Sequence, residues 1–127
     1  MNRGSEPLIL RHPRGMTRIL AGEDLLARAV AENRSLFAGR LVFLVSSPAV
    51  LRLQGAVLDP LRRAARALVV LEVPDGEAAK SLAEAGRLWE AMARATGNPD
   101  SFIVGVAGGR VGDLAGFVAA TFLRGVA

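Results

Sequence analysis

The sequence predicts an α/β domain: a Rossmann-like parallel sheet with flanking helices and an N-terminal β-hairpin. Apolar runs of strand length at 41–45, 67–73 and 101–106 alternate with stretches of helical period, joined by short connections. That alternation points to right-handed parallel crossovers. The first run, "LVFLV", is apolar at every position. Such a strand is buried on both faces, which suits a parallel sheet.

Taken in order, "LILRHPRGMTRILAG" reads as two extended pieces around Pro13-Arg14-Gly15, the proposed hairpin. "GEDLLARAVAENRSLF" places Leu25, Leu26, Ala29, Val30 and Leu36 at helical spacing behind two acids, as an amphipathic helix requires. After the 41–45 strand, "SSPAVLRLQGAVLDPLRRAARA" is helical material interrupted near Gly55 and Pro60. The strand "ALVVLEV" (67–73) ends in the turn Pro74-Asp75-Gly76. A long helix is then expected over "EAAKSLAEAGRLWEAMARA", with an apolar stripe of Leu82, Ala85, Trp89 and Met92. Gly97-Asn98-Pro99 stops it. The strand "SFIVGV" leads through the glycine-rich turn "AGGRVGD" into a last helix, "LAGFVAATFLRG".

A chain of 127 residues, 51% hydrophobic and 22% charged, is one globular domain in size and composition. Its net charge of +4 comes from arginines scattered along the chain with few aromatics between them, so no nucleic-acid partner is expected. No cysteine is present, which excludes disulfides and thiolate metal sites. The apolar run near the N-terminus is too short for a signal peptide, and none reaches membrane-spanning length. A cytoplasmic protein without a membrane partner is the expectation. Val126 and Ala127 are apolar, which suggests the front part of a longer protein.

Two segments could carry chemistry. "VGVAGGRVGDLAGF" joins a strand to a helix through glycines, the arrangement that turns backbone N–H groups and a helix N-terminus toward a phosphate. Against the dinucleotide pattern G-x-G-x-x-G, Ala107 stands at the first glycine while Gly109 and Gly112 match. Spacing alone leaves anion binding and a plain tight turn side by side. Asp113 either complements the helix dipole or faces a hydroxyl or amide of a bound cofactor. In "PDGEAAKSL", Lys80 is the only lysine among 16 basic residues. It either pairs with Glu77 at i,i+3 or serves as a compact donor in a ligand site, where a planar guanidinium is no substitute. Asp75 is placed to cap the following helix. His12, the only histidine, has no metal-ligand companions and reads as a surface residue.

"VPDGEAAKSL" and "AGGRVGDLAGFVAATFLRG" together resemble the nucleotide-binding half of the 3-dehydroquinate synthase family. That family carries an acidic-Gly-Glu-x-x-Lys segment, a triple-glycine turn, then V-G-D-L-A-G-F and a helix ending in R-G. The resemblance is good from Leu41 onward and loose before it. Glycerol dehydrogenases and sister sugar-phosphate cyclases, such as 2-epi-5-epi-valiolone and deoxy-inosose synthases, share parts of the pattern, and "VGDLAGF" favours the dehydroquinate branch. A non-catalytic nucleotide-binding module is the other alternative.

The resemblance implies that residues 1–127 form an NAD-binding domain, the N-terminal domain of a dehydroquinate synthase-like fold. It implies that Asp75, Gly76, Glu77 and Lys80 contact the adenosine part of NAD. Gly108, Gly109, Arg110, Val111, Gly112 and Asp113 would line the pyrophosphate and nicotinamide side. Arg124 matches an arginine that reaches the substrate phosphate in the neighbouring subunit's site, which implies a homodimer. The reaction implied is conversion of 3-deoxy-arabino-heptulosonate 7-phosphate to 3-dehydroquinate in the shikimate pathway, toward chorismate and the aromatic amino acids. Its zinc or cobalt ligands and catalytic lysines belong to a C-terminal part absent from this sequence, so the chain alone is expected to be inactive. Three departures stand out: Ala107 for the first glycine, Arg110 for an aliphatic residue, and "SSPAV" where an Asp-containing turn often holds the ribose.

Overall fold

The structure, a computed structural model, describes residues 6–54 and 58–127. Three strands, β3 (Leu41–Ser46), β4 (Ala67–Glu72) and β5 (Phe102–Val106), form a parallel sheet in the order β4-β3-β5. An antiparallel hairpin of β1 (Leu8–His12) and β2 (Gly15–Ile19) precedes them, turning at Pro13-Arg14 as expected. Both hairpin strands are exposed along their whole length.

β3 sits in the middle because it alone can be buried on both faces. Leu41, Phe43 and Val45 point into a core with α5 (Leu82–Arg94) and α6 (Gly109–Thr121), which supply Ala85, Leu88, Met92, Val111, Leu114 and Val118. Val42 and Leu44 point the other way, onto Val30 of α1 (Leu25–Glu32), Phe37 of α2 (Arg34–Phe37) and Leu61 of α4 (Asp59–Ala64). This is the period-two alternation of a strand, used on both faces. Each such side chain contributes about 1.5–3 kcal/mol of transfer free energy on burial. Phe37 meets Phe102 edge-on, with ring centroids 5.1 Å apart.

The expected helices are all present, with shifted boundaries. The first breaks at Asn33, so Phe37 is buried and Leu36 is exposed, the reverse of the anticipated stripe. Pro60 does not interrupt a helix but lies at the start of α4, where its missing N–H costs no hydrogen bond. Pro48 opens α3 (Pro48–Gln54) in the same way. The expected break at Gly55 lies outside the described residues.

The long helix expected from Glu77 is two elements. Gly76–Ala79 is a 3₁₀ turn, and α5 starts only at Leu82. Ser81 is its true cap: its hydroxyl accepts from the Glu84 N–H at 3.2 Å, in a Ser-x-x-Glu sequence. Asp75 makes no side-chain cap, and Leu82 is exposed, so the buried stripe is Ala85, Leu88 and Met92 with Trp89 half-buried. The Trp89 indole N–H donates to the Thr121 hydroxyl at 3.0 Å, which ties α5 to α6. Past α6, Val126 N–H donates to Ala119 O and Ile103 N–H donates to Ala127 O, both at 2.7 Å, so the last residues lie along the outer edge of β5.

Two glycines separate packing from propensity. A Cβ on Gly97 would stand 2.8 Å from the Met92 carbonyl oxygen and 3.0 Å from the Phe122 ring. A Cβ on Gly86, inside α5, would meet nothing within 4 Å. Gly97→Ala is therefore expected to lower the unfolding free energy by about 1–3 kcal/mol, while Gly86→Ala raises it by about 0.4–1 kcal/mol through helix propensity and the unfolded-state entropy. Urea unfolding followed by circular dichroism measures both, and a shift of the same sign in the two variants contradicts the packing described.

Candidate functional site

A three-strand parallel sheet with its first strand in the centre sends one crossover to each side. The connections after the neighbouring β3 and β5 turn to opposite faces at their carboxyl ends, and ligand crevices in open α/β sheets form at such a point. Here a cleft of about 340 Å³ opens there, lined by Ser47, Val50, Asp75, Gly76, Ala107, Gly108, Gly109, Arg110 and Val111. Each stretch comes from the end of a different strand: Ser47 follows β3, Asp75-Gly76 follows β4, and Ala107 onward follows β5.

The glycine turn is part of a helix. Gly108 caps α6, which begins at Gly109, so Asp113 lies one turn inside it and not in its first turn. Its partner is Lys80, with Nζ 3.1 Å from Oδ2. Neither Gly108, Gly109 nor Gly112 has a positive φ, and a Cβ on any of them would meet nothing within 4 Å. Nothing in the chain's own folding demands glycine at these positions. Open space beside bare backbone at a helix N-terminus is a cradle that side chains would fill. Gly76 is different: its φ of +79° itself favours glycine. Gly105 packs β5 against α6, since a Cβ there would be 3.0 Å from Ala115 Cβ.

Serines close the floor of the site. Ser46 Oγ donates to the Val106 carbonyl and joins the ends of β3 and β5. Ser47 is fully buried, and its hydroxyl has no hydrogen-bond partner. Folded chains seldom leave such a group unpaired, because its desolvation goes uncompensated. The sequence reading passed over Ser47 as a departure from a pattern. The signal available was a pair of serines directly after the apolar run 41–45, the first of which ends β3.

Two ion pairs connect the 3₁₀ turn to the start of α6. Besides Lys80–Asp113, Arg110 Nε lies 2.9 Å from Glu77 Oε1. The i,i+3 pair between Glu77 and Lys80 is replaced by these cross-element pairs, because the 3₁₀ turn ends before Lys80. Both are more than half exposed, so each contributes only about 0–1 kcal/mol. Lys80 stands at a second, mainly apolar cleft of about 250 Å³ with Ser81, Leu82, Asp113, Leu114 and Phe117. The structure thus brings Asp75, Gly76, Gly108, Gly109, Arg110 and Val111 to one cleft and Lys80 and Asp113 to its neighbour. Glu77 is joined to the first through Arg110, and Gly112 faces open space on α6.

Arg124 is elsewhere. It follows the far end of α6, about 20 Å from the cleft at 1.5 Å per residue, in a 3₁₀ turn where Leu123 and Arg124 have φ of 47° and 70°. Among the described residues no group of three His, Cys, Asp or Glu is placed to hold a metal ion, and no helix is long and apolar enough to cross a membrane.

Fold and cleft define a class: a parallel α/β domain with a ligand crevice where its crossovers part. Two crystal structures of 2-deoxy-scyllo-inosose synthase, one complexed with carbaglucose-6-phosphate, NAD+ and Co2+, share this fold. Their TM-scores are 0.81 and 0.80 at 22% identity, over 96% of this chain and 34% of theirs. In sequence, residues 70–127 match the family model described as 3-dehydroquinate synthase N-terminal. The 3-dehydroquinate synthase of Pelotomaculum thermopropionicum is 43% identical over 109 residues, 85% of this chain and 29% of that protein. The chain is similar to the N-terminal part of 3-dehydroquinate synthases, as its motifs implied. It spans less than a third of the length of the curated relatives it matches.

Ser47→Ala is expected to leave the ligand-free chain as stable or more stable, by up to about 1 kcal/mol, because it removes an unpaired buried hydroxyl. A loss above that size in urea unfolding would mean that Ser47 is a bonded structural residue and not part of an open site.

Proposed function

We propose that this chain is the NAD-binding part of a 3-dehydroquinate synthase. The observation that carries the reading is the glycine cradle at the N-terminus of α6, open in the chain's own packing and sharing a cleft with the unpaired Ser47 hydroxyl. Identity of 43% to a 3-dehydroquinate synthase, against 22% to the inosose synthase, favours the dehydroquinate reaction over a sister cyclase. The bound NAD of that inosose synthase complex supports the same cofactor here.

The residues present fit a dinucleotide. Backbone N–H groups at Gly108, Gly109 and Arg110, with the dipole of a 13-residue helix behind them, suit a pyrophosphate. Asp75, Gly76, Glu77 and Lys80 would face the adenosine part, and Val111, Gly112 and Asp113 the nicotinamide side. NAD, when bound, supplies reversible hydride transfer at one substrate hydroxyl. This chain would bind and orient the cofactor, while by the resemblance the groups for the elimination and the ring closure belong to the C-terminal part. By the same resemblance, zinc or cobalt is held by a C-terminal part of such an enzyme, and the substrate is the heptulosonate phosphate of the shikimate pathway. A homodimer in the cytoplasm, with Arg124 serving the neighbouring subunit's site, completes the proposal.

Calorimetric titration with NAD tests the cofactor site. Gly109→Ala should fold without loss of stability yet weaken NAD at least fivefold, since the added methyl enters the cradle. Lys80→Arg should weaken it severalfold despite the retained charge. Wild-type affinity in Gly109→Ala removes the cradle from the cofactor site.

In the whole enzyme, Arg124→Ala should raise the substrate KM or lower kcat while NAD affinity stays within twofold. Hybrid dimers with a variant inactive in the metal-binding half should regain part of the activity. Well-mixed hybrids that regain none argue against a shared site.

A further inference from the structure

Arg110 stands at the cleft mouth in an unusual position for a cation. It lies on the first turn of α6, whose N-terminus already presents N–H groups, and its Nε is held 2.9 Å from Glu77 Oε1 across the gap to the 3₁₀ turn. Its guanidinium also covers Gly76, whose added Cβ would lie 3.8 Å from Nη1. The pair is exposed, 54% for Arg110 and 74% for Glu77, so water screens it and it is easily exchanged. The same cleft holds the fully buried Ser47 hydroxyl without a partner, which independently points to a polar ligand there.

We propose that Glu77 is an internal stand-in for a diphosphate, and that Arg110 selects a diphosphate by leaving Glu77 for it. The inference rests on reading the cleft as a dinucleotide site and adds what that reading lacks: how this chain discriminates its ligand. A diphosphate seated at the glycine turn carries at least two negative charges and several oxygens in guanidinium reach. A carboxylate carries one charge. A fork of N–H donors prefers the former, because charge-assisted bonds in parallel outdo a single exposed pair. Orthophosphate offers a shorter ligand that either the helix N-terminus or Arg110 satisfies alone, so it gains less from the exchange. Release of Glu77 also frees its carboxylate for hydroxyl donors next to the diphosphate. The pair holds the 3₁₀ turn against α6, with Lys80–Asp113 as a second tie one helical turn along. Ligand entry breaks the first tie and leaves the second.

The test uses this chain and three probes, inorganic diphosphate, ADP and orthophosphate, measured by calorimetry at low salt, with circular dichroism to establish folding. Arg110→Leu should weaken diphosphate and ADP at least tenfold and orthophosphate less than threefold. Glu77→Gln should tighten inorganic diphosphate about threefold to tenfold, since the competing carboxylate is gone and the probe has no hydroxyls for it to serve. The double variant should bind diphosphate as Arg110→Leu does. Unchanged diphosphate affinity in Arg110→Leu, or weaker binding in Glu77→Gln, overturns the exchange. Diphosphate binding without ADP binding assigns the site to a free inorganic anion and overturns selection of a nucleotide diphosphate. NAD binding that is indifferent to Arg110 leaves the proposed function standing and removes this inference. Arg110-dependent diphosphate binding by a chain that does not take NAD keeps the exchange and removes the proposed cofactor.

Discussion

Everything in this domain depends on β3 being buried on both faces and bonded on both edges. Its six residues are all inaccessible, its register to β4 runs from Leu41–Ala67 to Ser46–Glu72, and its register to β5 from Val42–Phe102 to Ser46–Val106. A strand so placed is apolar over Leu41–Val45, and the connections leaving β3 and its neighbour β5 turn to opposite faces of the sheet, into α3 and α6. The cleft is a consequence of that geometry: the divergence opens a gap that the chain fills with short side chains and bare backbone. Ser46 closes part of it by bonding to Val106, and Ser47 is left without a partner.

The walls of the cleft are held with unequal strength. α6 is anchored by Val111, Leu114 and Val118 in the core and by close contact of Gly105 with Ala115, so the glycine turn is set on a rigid element. The 3₁₀ turn opposite buries only Ala79 and is tied to α6 by two exposed ion pairs. A ligand site with one fixed wall and one lightly held wall can admit a ligand at small energetic cost and tighten afterwards. The fixed wall carries backbone donors; the other carries exchangeable charges.

Arg110 changes that balance. It introduces a cation at a position where the glycine turn already offers N–H groups, and it engages the acid of the opposite wall. Ala107, the other departure in the turn, is exposed before the cap of α6 and does not disturb the helix start. Exposed apolar side chains are densest on the hairpin, where Leu8, Ile9, Leu10, Met16 and Ile19 are all exposed. Two strands alone bury too little to be stable in water.

The sequence by itself determined the class of fold, the three parallel strands, the hairpin and the glycine turn. Each is written in local pattern: continuous apolar runs, a Pro-Arg-Gly turn, glycines between a strand and a helix. It also carried the likeness to 3-dehydroquinate synthases, because "VGDLAGF" and "DGEAAK" are contiguous motifs. Only the tertiary structure decided which charges meet. Glu77 and Lys80 sit at a spacing that suits a helix pair, but Ser81 offers a better cap than Asp75, and the helix starts after both. Their partners then come from a segment 33 positions along in each case, 77 to 110 and 80 to 113. No local pattern records such a distance. It follows from the connections after β4 and β5 meeting beside the end of the buried β3, where the Ser47 hydroxyl also lies in the cleft.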